Sequence, residues 1–159
     1  MGRFISFIFA IVIFAYLIVA GISFDINCGD YLKRAADANT VELAVKELET
    51  ALNYIEANNL TDGYTSVIYK SPDEDLGFWY TNIKSAYEEL KSIPDNATMM
   101  EKSNALMKLR ETLLDNGEKG EHLTIPPGIA VYPNNALVMI LTFLATIAII
   151  YTFTFVSKL

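Results

Sequence analysis

Seven carboxylate side chains fall on or beside the predicted loops rather than on helix faces, and they are the residues best suited to binding. Carboxylate oxygens are hard ligands of the kind that Ca²⁺ prefers, and they also pair with Lys and Arg. No D-x-[DN]-x-[DN]-G calcium loop is present. We therefore expect a basic partner surface or a divalent cation here, with capped and solvated helix ends as the simpler interpretation. The set is Asp62, Asp73, Glu74, Asp75, Asp115, Glu118 and Glu121.

Aromatic side chains form a second candidate site. Phe78-Trp79-Tyr80 is the densest aromatic stretch. Three consecutive helical residues fan over roughly 200°, so they cannot all face one core. Trp79 and Tyr80 fit the apolar stripe, whereas Phe78 points elsewhere. The sequence predicts an apolar ligand or partner contact formed by Tyr64, Tyr69, Phe78 and Trp79, with ordinary packing as the alternative.

Catalytic and metal chemistry find little support in the sequence. His122 and Cys28 are single residues of their types, so sites that need several His or Cys ligands are excluded. No phosphate-binding glycine loop, G-x-S-x-G elbow or H-E-x-x-H motif occurs. We expect no enzyme activity, no cofactor and no metal site of the His or Cys type. Cys28 is either a free, partly buried thiol or one half of an intermolecular disulfide.

A helix over Ser71–Ile93 must position most of these residues. Its apolar residues recur at steps of three and four, which places them on one helical stripe. Ser71 with Glu74 has the spacing of a capping box, and Pro72 suits the first helical position. A stripe this bulky requires neighbouring segments to pack on it.

Two more long helices are predicted, over Thr40–Asn58 and Thr98–Asn116, and a short one over Asp30–Ala38. Asn39 with Glu42 and Thr98 with Glu101 have capping-box spacing. Phe24–Gly29 should break the helix before them. Two extended stretches are predicted after the last helix, Leu123–Ile125 and Ile129–Tyr132. Three methionines of the last helix are expected to fill the core, namely Met99, Met100 and Met107.

The odd number of long helices determines at which end of the bundle the loops are expected. Three long antiparallel helices would leave the chain at the end far from its starting point. The Asn59–Ser71 loop and the Glu118–His122 segment would then share a distal tip, with the carboxylates clustered there. Residues 118–135 would form an extended return along the flank of the bundle.

Both ends of the chain are long apolar stretches. Phe4–Ser23 and Ala136–Val156 carry no charged residue and are each about 30 Å long as helices, the thickness of a bilayer core. The first could alternatively be a cleaved signal peptide, but its apolar run is long for one. We predict an all-α membrane protein with two transmembrane helices flanking an extramembrane antiparallel bundle of three to four helices. The predicted units are residues 1–23, 24–117, 118–135 and 136–159.

Charge indicates the side of the membrane. Residues 24–135 hold all 19 acidic and 10 of the 12 basic residues, a formal charge of −9, while Arg3 and Lys158 flank the two spans. Basic residues beside a span favour the cytoplasmic side. We expect both termini in the cytoplasm and residues 24–135 outside it, in periplasm, exterior or lumen. Asn59 and Asn96 match the glycosylation pattern, which matters only if the source is eukaryotic or viral.

Composition narrows the function. An acidic domain does not suit nucleic-acid phosphates, so we expect no nucleic-acid partner. The first hypothesis is a non-enzymatic, membrane-anchored subunit that presents its bundle to other membrane or extracytoplasmic proteins in a larger complex or oligomer. The alternative is an extracytoplasmic sensor or small-ligand-binding module that signals through partner membrane proteins.

Overall fold

The protein is mostly helical. The computed structural model describes residues 2–66, 68, 70–117, 120–133 and 136–156. A π-helical turn, Asp25–Gly29, joins the first two helices, and a 3₁₀ turn, Pro72–Glu74, precedes the fourth. In chain order the elements are α1 Gly2–Phe24, α2 Asp30–Ala36, α3 Val41–Ala57, α4 Leu76–Lys91, α5 Met99–Leu113, β1 Leu114–Gly117, β2 Gly120–Leu123 and α6 Ala136–Val156.

α1 and α2 form one continuous helical rod, so the predicted break at Phe24–Gly29 is wrong. The N–H of Asp30 donates to the carbonyl of Asp25, five residues back, which defines the π turn. Phe24, Cys28 and Leu32 are all buried at four-residue spacing. Burial of this stripe outweighs the local helix-breaking tendency of the glycine and asparagine beside it.

Helices α2 to α5 form an antiparallel four-helix bundle. α2 contacts α3, α3 contacts α4, α4 contacts α5, and α5 closes the bundle on α2. Ion pairs fix the neighbours, including Arg34 with Glu47 and Lys108 with Glu89. The core is apolar and continuous, and its largest fully buried side chains are Leu32, Leu48, Ile55, Leu76, Ile83, Leu109 and Leu113.

The ends of α3 follow helix-capping rules. Thr40 is the N-cap, and its hydroxyl accepts from the N–H of Leu43, so the cap lies one residue after the predicted Asn39. At the other end Asn59 has φ 55°, and the N–H of Leu60 donates to Ile55 O at 2.9 Å. This is a Schellman ending, which confirms the predicted stop at Asn58-Asn59.

The next two helices are shorter than predicted. Ser71 and Glu74 do interlock, through hydrogen bonds from the Ser71 N–H and hydroxyl to Glu74 Oε2, but they close the 3₁₀ turn. The α-helix itself begins after Asp75, whose side chain accepts from the N–H of Phe78 at 3.0 Å. For α5 the predicted capping box of Thr98 with Glu101 is confirmed.

A β-hairpin replaces the predicted end of the third long helix. α5 stops at Leu113, and Leu114 pairs with Leu123 in antiparallel register. The N–H of Thr124 donates to Leu113 O at 2.9 Å and closes the base of the hairpin. The segment after it turns rather than extends, since the N–H groups of Val131 and Tyr132 both donate to Gly128 O. The predicted extended structure at Ile129–Tyr132 is therefore wrong.

Gly128 makes that turn possible. Its φ is +79°, and a Cβ built on it would lie 2.9 Å from Cδ2 of Tyr132. Both the backbone conformation and the close ring exclude larger residues.

α6 packs along α1. α6 starts beyond Pro133, which lines a pocket together with Phe24 at the end of α1, and the two helices are in contact, so they run antiparallel. Ala10 and Ala145 are fully buried, and large apolar side chains are exposed on the outer faces of both helices. By length and composition the helical stretch Phe4–Ala36 could cross a bilayer, whereas the apolar stretch Ala136–Thr152 within α6 is shorter.

The loops lie at the opposite end of the bundle from the one predicted. α2 continues α1, so it is the first arm of the bundle and the number of arms is even. The ring of Tyr54, near the end of α3, meets that of Phe24 with centroids 6.0 Å apart. The α3–α4 loop and the α5 end therefore face α1 and α6, and the expected distal tip is wrong.

Candidate functional site

A groove between α4 and the hairpin brings together residues from both predicted sites. Its volume is about 450 Å³, and one wall is the first half of α4. The other wall is formed by the hairpin and the segment after it, from His122 to Pro127. We call it the α4–hairpin groove.

Three of the predicted carboxylates line this groove. They are Asp73, Asp75 and Asp115, and no Lys or Arg is found among the described residues that line it. Asp73 is exposed, while Asp75 is half-buried because it caps α4. The groove is therefore a concave surface of negative charge.

Two of the predicted aromatic residues complete the groove. Phe78 is 66% exposed, and Trp79 is buried at 7% exposure. This agrees with the expectation that Trp79 faces the core and Phe78 does not. Phe78 offers a ring face beside the carboxylates, an arrangement that attracts cations bearing apolar groups.

The other predicted carboxylates that the structure describes do not line the groove. Glu121 lies across the hairpin from the groove and pairs with Arg110, whose guanidinium also binds Asp37 at 2.7 Å. Together these two carboxylates raise the pKa of Arg110, chiefly through the hydrogen bond that the guanidinium donates to Asp37. Glu74 is held by Ser71, and Asp62 is exposed on the preceding loop. Glu118 lies outside the described residues.

The predicted aromatic site is brought together only in part. Tyr64 instead forms a β-bridge with Asp75, and the ammonium of Lys70 lies 5.4 Å from its ring centroid. Tyr64 is not among the residues lining the groove. Tyr69 lies outside the described residues, so the structure adds nothing about its place.

Cation coordination gains no support from the geometry. No group of three or more His, Cys, Asp or Glu side chains suited to holding a metal ion is found in the described part of the chain. The groove carboxylates are therefore better placed to meet an organic cation than to enclose Ca²⁺.

Sequence reasoning missed the second wall of the groove. His122, Thr124 and Pro127 line it, together with Asn82 and Thr112 on the helices. The Pro126-Pro127 pair was a usable signal, because two prolines with missing N–H groups favour a rigid, exposed wall. The hairpin that delivers them depends on pairing between segments that local pattern does not reveal.

Two other features of the sequence have clear positions. Cys28 is fully buried, and burial raises the pKa of its thiol to about 12. A buried, protonated thiol is a poor nucleophile and a poor partner for disulfide exchange. Met99, Met100 and Met107 are 60–82% exposed, so the prediction that they fill the core is wrong.

Comparisons with protein-family models, with curated proteins and with solved structures give no match for this chain.

Proposed function

We propose that this protein is a non-enzymatic, membrane-anchored docking subunit that binds a cationic segment of another membrane protein in its α4–hairpin groove. The observation that carries the proposal is the meeting of Asp73, Asp75 and Asp115 with Phe78 in one concave surface. A segment with Lys or Arg beside apolar side chains complements this surface in both charge and shape.

The membrane anchor is proposed as the pair α1 and α6. Large apolar side chains are exposed along both helices, and such surfaces are unfavourable in water but stable in lipid. α6 has 21 residues, about 30 Å at the helical rise, which is enough to span. Small buried residues at their contact are typical of helices that pack within a bilayer.

The position of the groove suggests where the partner lies. The groove faces the end of the bundle that joins α1 and α6, so it would lie close to the membrane surface. A basic segment of the partner that directly follows the partner's own transmembrane helix would reach the groove while that helix stays in the bilayer. We infer that this bundle lies outside the cytoplasm, since Arg3 and Lys158 flank the proposed spans.

Purification of the tagged full chain from its native membranes in mild detergent tests the proposal. We expect a stoichiometric partner protein by mass spectrometry, with loss of the partner in the double variant Asp73→Asn/Phe78→Ser. Complex formation should also weaken as salt is raised, because the attraction is between exposed charges.

The matched control is the double variant Glu88→Gln/Met107→Ser. It removes one exposed carboxylate and one exposed apolar side chain away from the groove. The partner should remain bound in this variant. A folded, partner-free wild type, or equal loss in both double variants, would contradict docking in the groove.

A further inference from the structure

A second groove lies between α2 and α3, apart from the docking groove. Its volume is about 530 Å³, within the range of small-molecule sites. α2 and the residue after it supply Lys33 and Arg34 together with Asp30 and Asp37, and α3 supplies Leu43 and Glu47. We call it the α2–α3 groove.

Glu47 is the unusual residue in this groove. Its side chain is 7% exposed, yet it carries a carboxylate on the wall of an open groove. Oε1 accepts from the Arg34 guanidinium at 2.7 Å, whereas Oε2 is buried without a hydrogen-bond partner among the described residues. A buried carboxylate oxygen without a donor is costly, so a donor that reached the Glu47 carboxylate from the groove would stabilise it.

The opposite charge is held in place nearby. The Arg34 guanidinium lies 5.6 Å from the ring centroid of Tyr31 and uses one N–H on Glu47. Its other donors, and the ammonium of the exposed Lys33 on the same groove, can bind an anion. One rim of the groove is apolar, with Ile26 and Leu43 about half exposed.

We propose that the α2–α3 groove binds a small zwitterion that has an ammonium group and an anionic group a few bonds apart. The ammonium pairs with the Glu47 carboxylate, and the anion lies against Arg34 and Lys33. An aliphatic substituent packs on Ile26 and Leu43, which favours an apolar α-amino acid. The same chemistry is present in a phosphoethanolamine headgroup. The inference does not rest on the docking function, because the two grooves share no residue.

Binding to the full chain in detergent tests this site, with thermal stability and calorimetry as readouts. The probes are each proteinogenic amino acid, the N-acetyl and methyl-ester forms of leucine, and phosphoethanolamine. We expect leucine-like amino acids to bind and both blocked forms to fail, since each lacks one charge. Tighter binding of phosphoethanolamine would support the same site with a lipid headgroup as its source.

Variants separate binding from folding. Glu47→Gln removes the negative charge that pairs with the ammonium and should weaken binding. Lys33→Gln should weaken binding about tenfold without loss of fold, because Lys33 is exposed. Lys46→Gln, another exposed lysine, is the control and should bind as wild type. The proposal is overturned if no zwitterion binds folded wild type, or if binding is unchanged in Lys33→Gln.

Discussion

At the scale of single residues, Glu56 links α3 to α4 through two donors. The hydroxyl of Tyr80 donates to Glu56 Oε1 at 2.6 Å, and the ammonium of Lys84 donates to the same oxygen at 3.1 Å. Both hydrogen bonds lower the pKa of Glu56 below its ordinary value of 4.5, and the bond from Tyr80 has the larger effect. The pKa of Lys84 is raised above its ordinary value of 10.5, first by the hydrogen bond that its ammonium donates to the Tyr80 hydroxyl at 2.7 Å and then by its bond to Glu56.

The shift in Glu56 predicts an acid-sensitive contribution to stability. A lowered pKa stabilises the folded state fully above pH 4.5, and this contribution is lost as pH falls through the folded value. In Glu56→Gln, melting temperature should fall less steeply with pH below 4.5 than in wild type, and Tyr80→Phe should lie between them. Glu88→Gln, which removes a carboxylate with no hydrogen bond to the described residues, should follow wild type. Equal slopes for Glu56→Gln and wild type would contradict the link.

At the scale of elements, the sequence predicted those helix ends that depend on hydrogen bonds between residues close in the chain. The capping box of Thr98 with Glu101 and the stop at Asn58-Asn59 depend on neighbours within a few residues, and both are confirmed. Leu114 depends instead on pairing with Leu123, so Asn116-Gly117 was mistaken for a helix ending. The docking groove was predicted only in part for the same reason: its carboxylates and Phe78 were identified, but its hairpin wall was not.

The π turn is the element whose role can be tested by deletion. An i→i+5 turn holds one residue more than an α-turn, so deleting exposed Ile26 should convert it to α-helix and keep α1 and α2 in register. Deleting exposed Lys33 instead rotates the end of α2 by about 100° and turns buried Ala35 and Ala36 out of the core. We expect the Lys33 deletion to cost about 3 kcal/mol or more of unfolding free energy, and the Ile26 deletion much less. Comparable losses in chemical denaturation would show that the π turn itself is required.

At the scale of the whole molecule, one element changes the architecture. Because the short α2 belongs to the rod of α1, the bundle has four arms, and the chain finishes α5 at the end from which it started. Only the hairpin and a short turning segment are then needed to reach α6, in place of a long extended return. The prediction of three to four helices includes this bundle, but the loops were placed from the parity of the three long helices alone, so the position of the acidic loops changed at that single junction.

Antiparallel packing of α1 on α6 predicts that both chain ends lie on one side of the membrane. Single-cysteine variants in a Cys28→Ala background, Gly2→Cys, Ser157→Cys and Glu88→Cys, report the side by reaction with a membrane-impermeant maleimide on intact cells. Glu88→Cys should react at once, since it is exposed on the bundle. The two terminal cysteines should react only after the membrane is permeabilised, because the proposed spans α1 and α6 would hold them on the far side of the bilayer. Terminal cysteines that differ from each other would place the ends on opposite faces, and an α1–α6 pair could not then anchor a docking bundle.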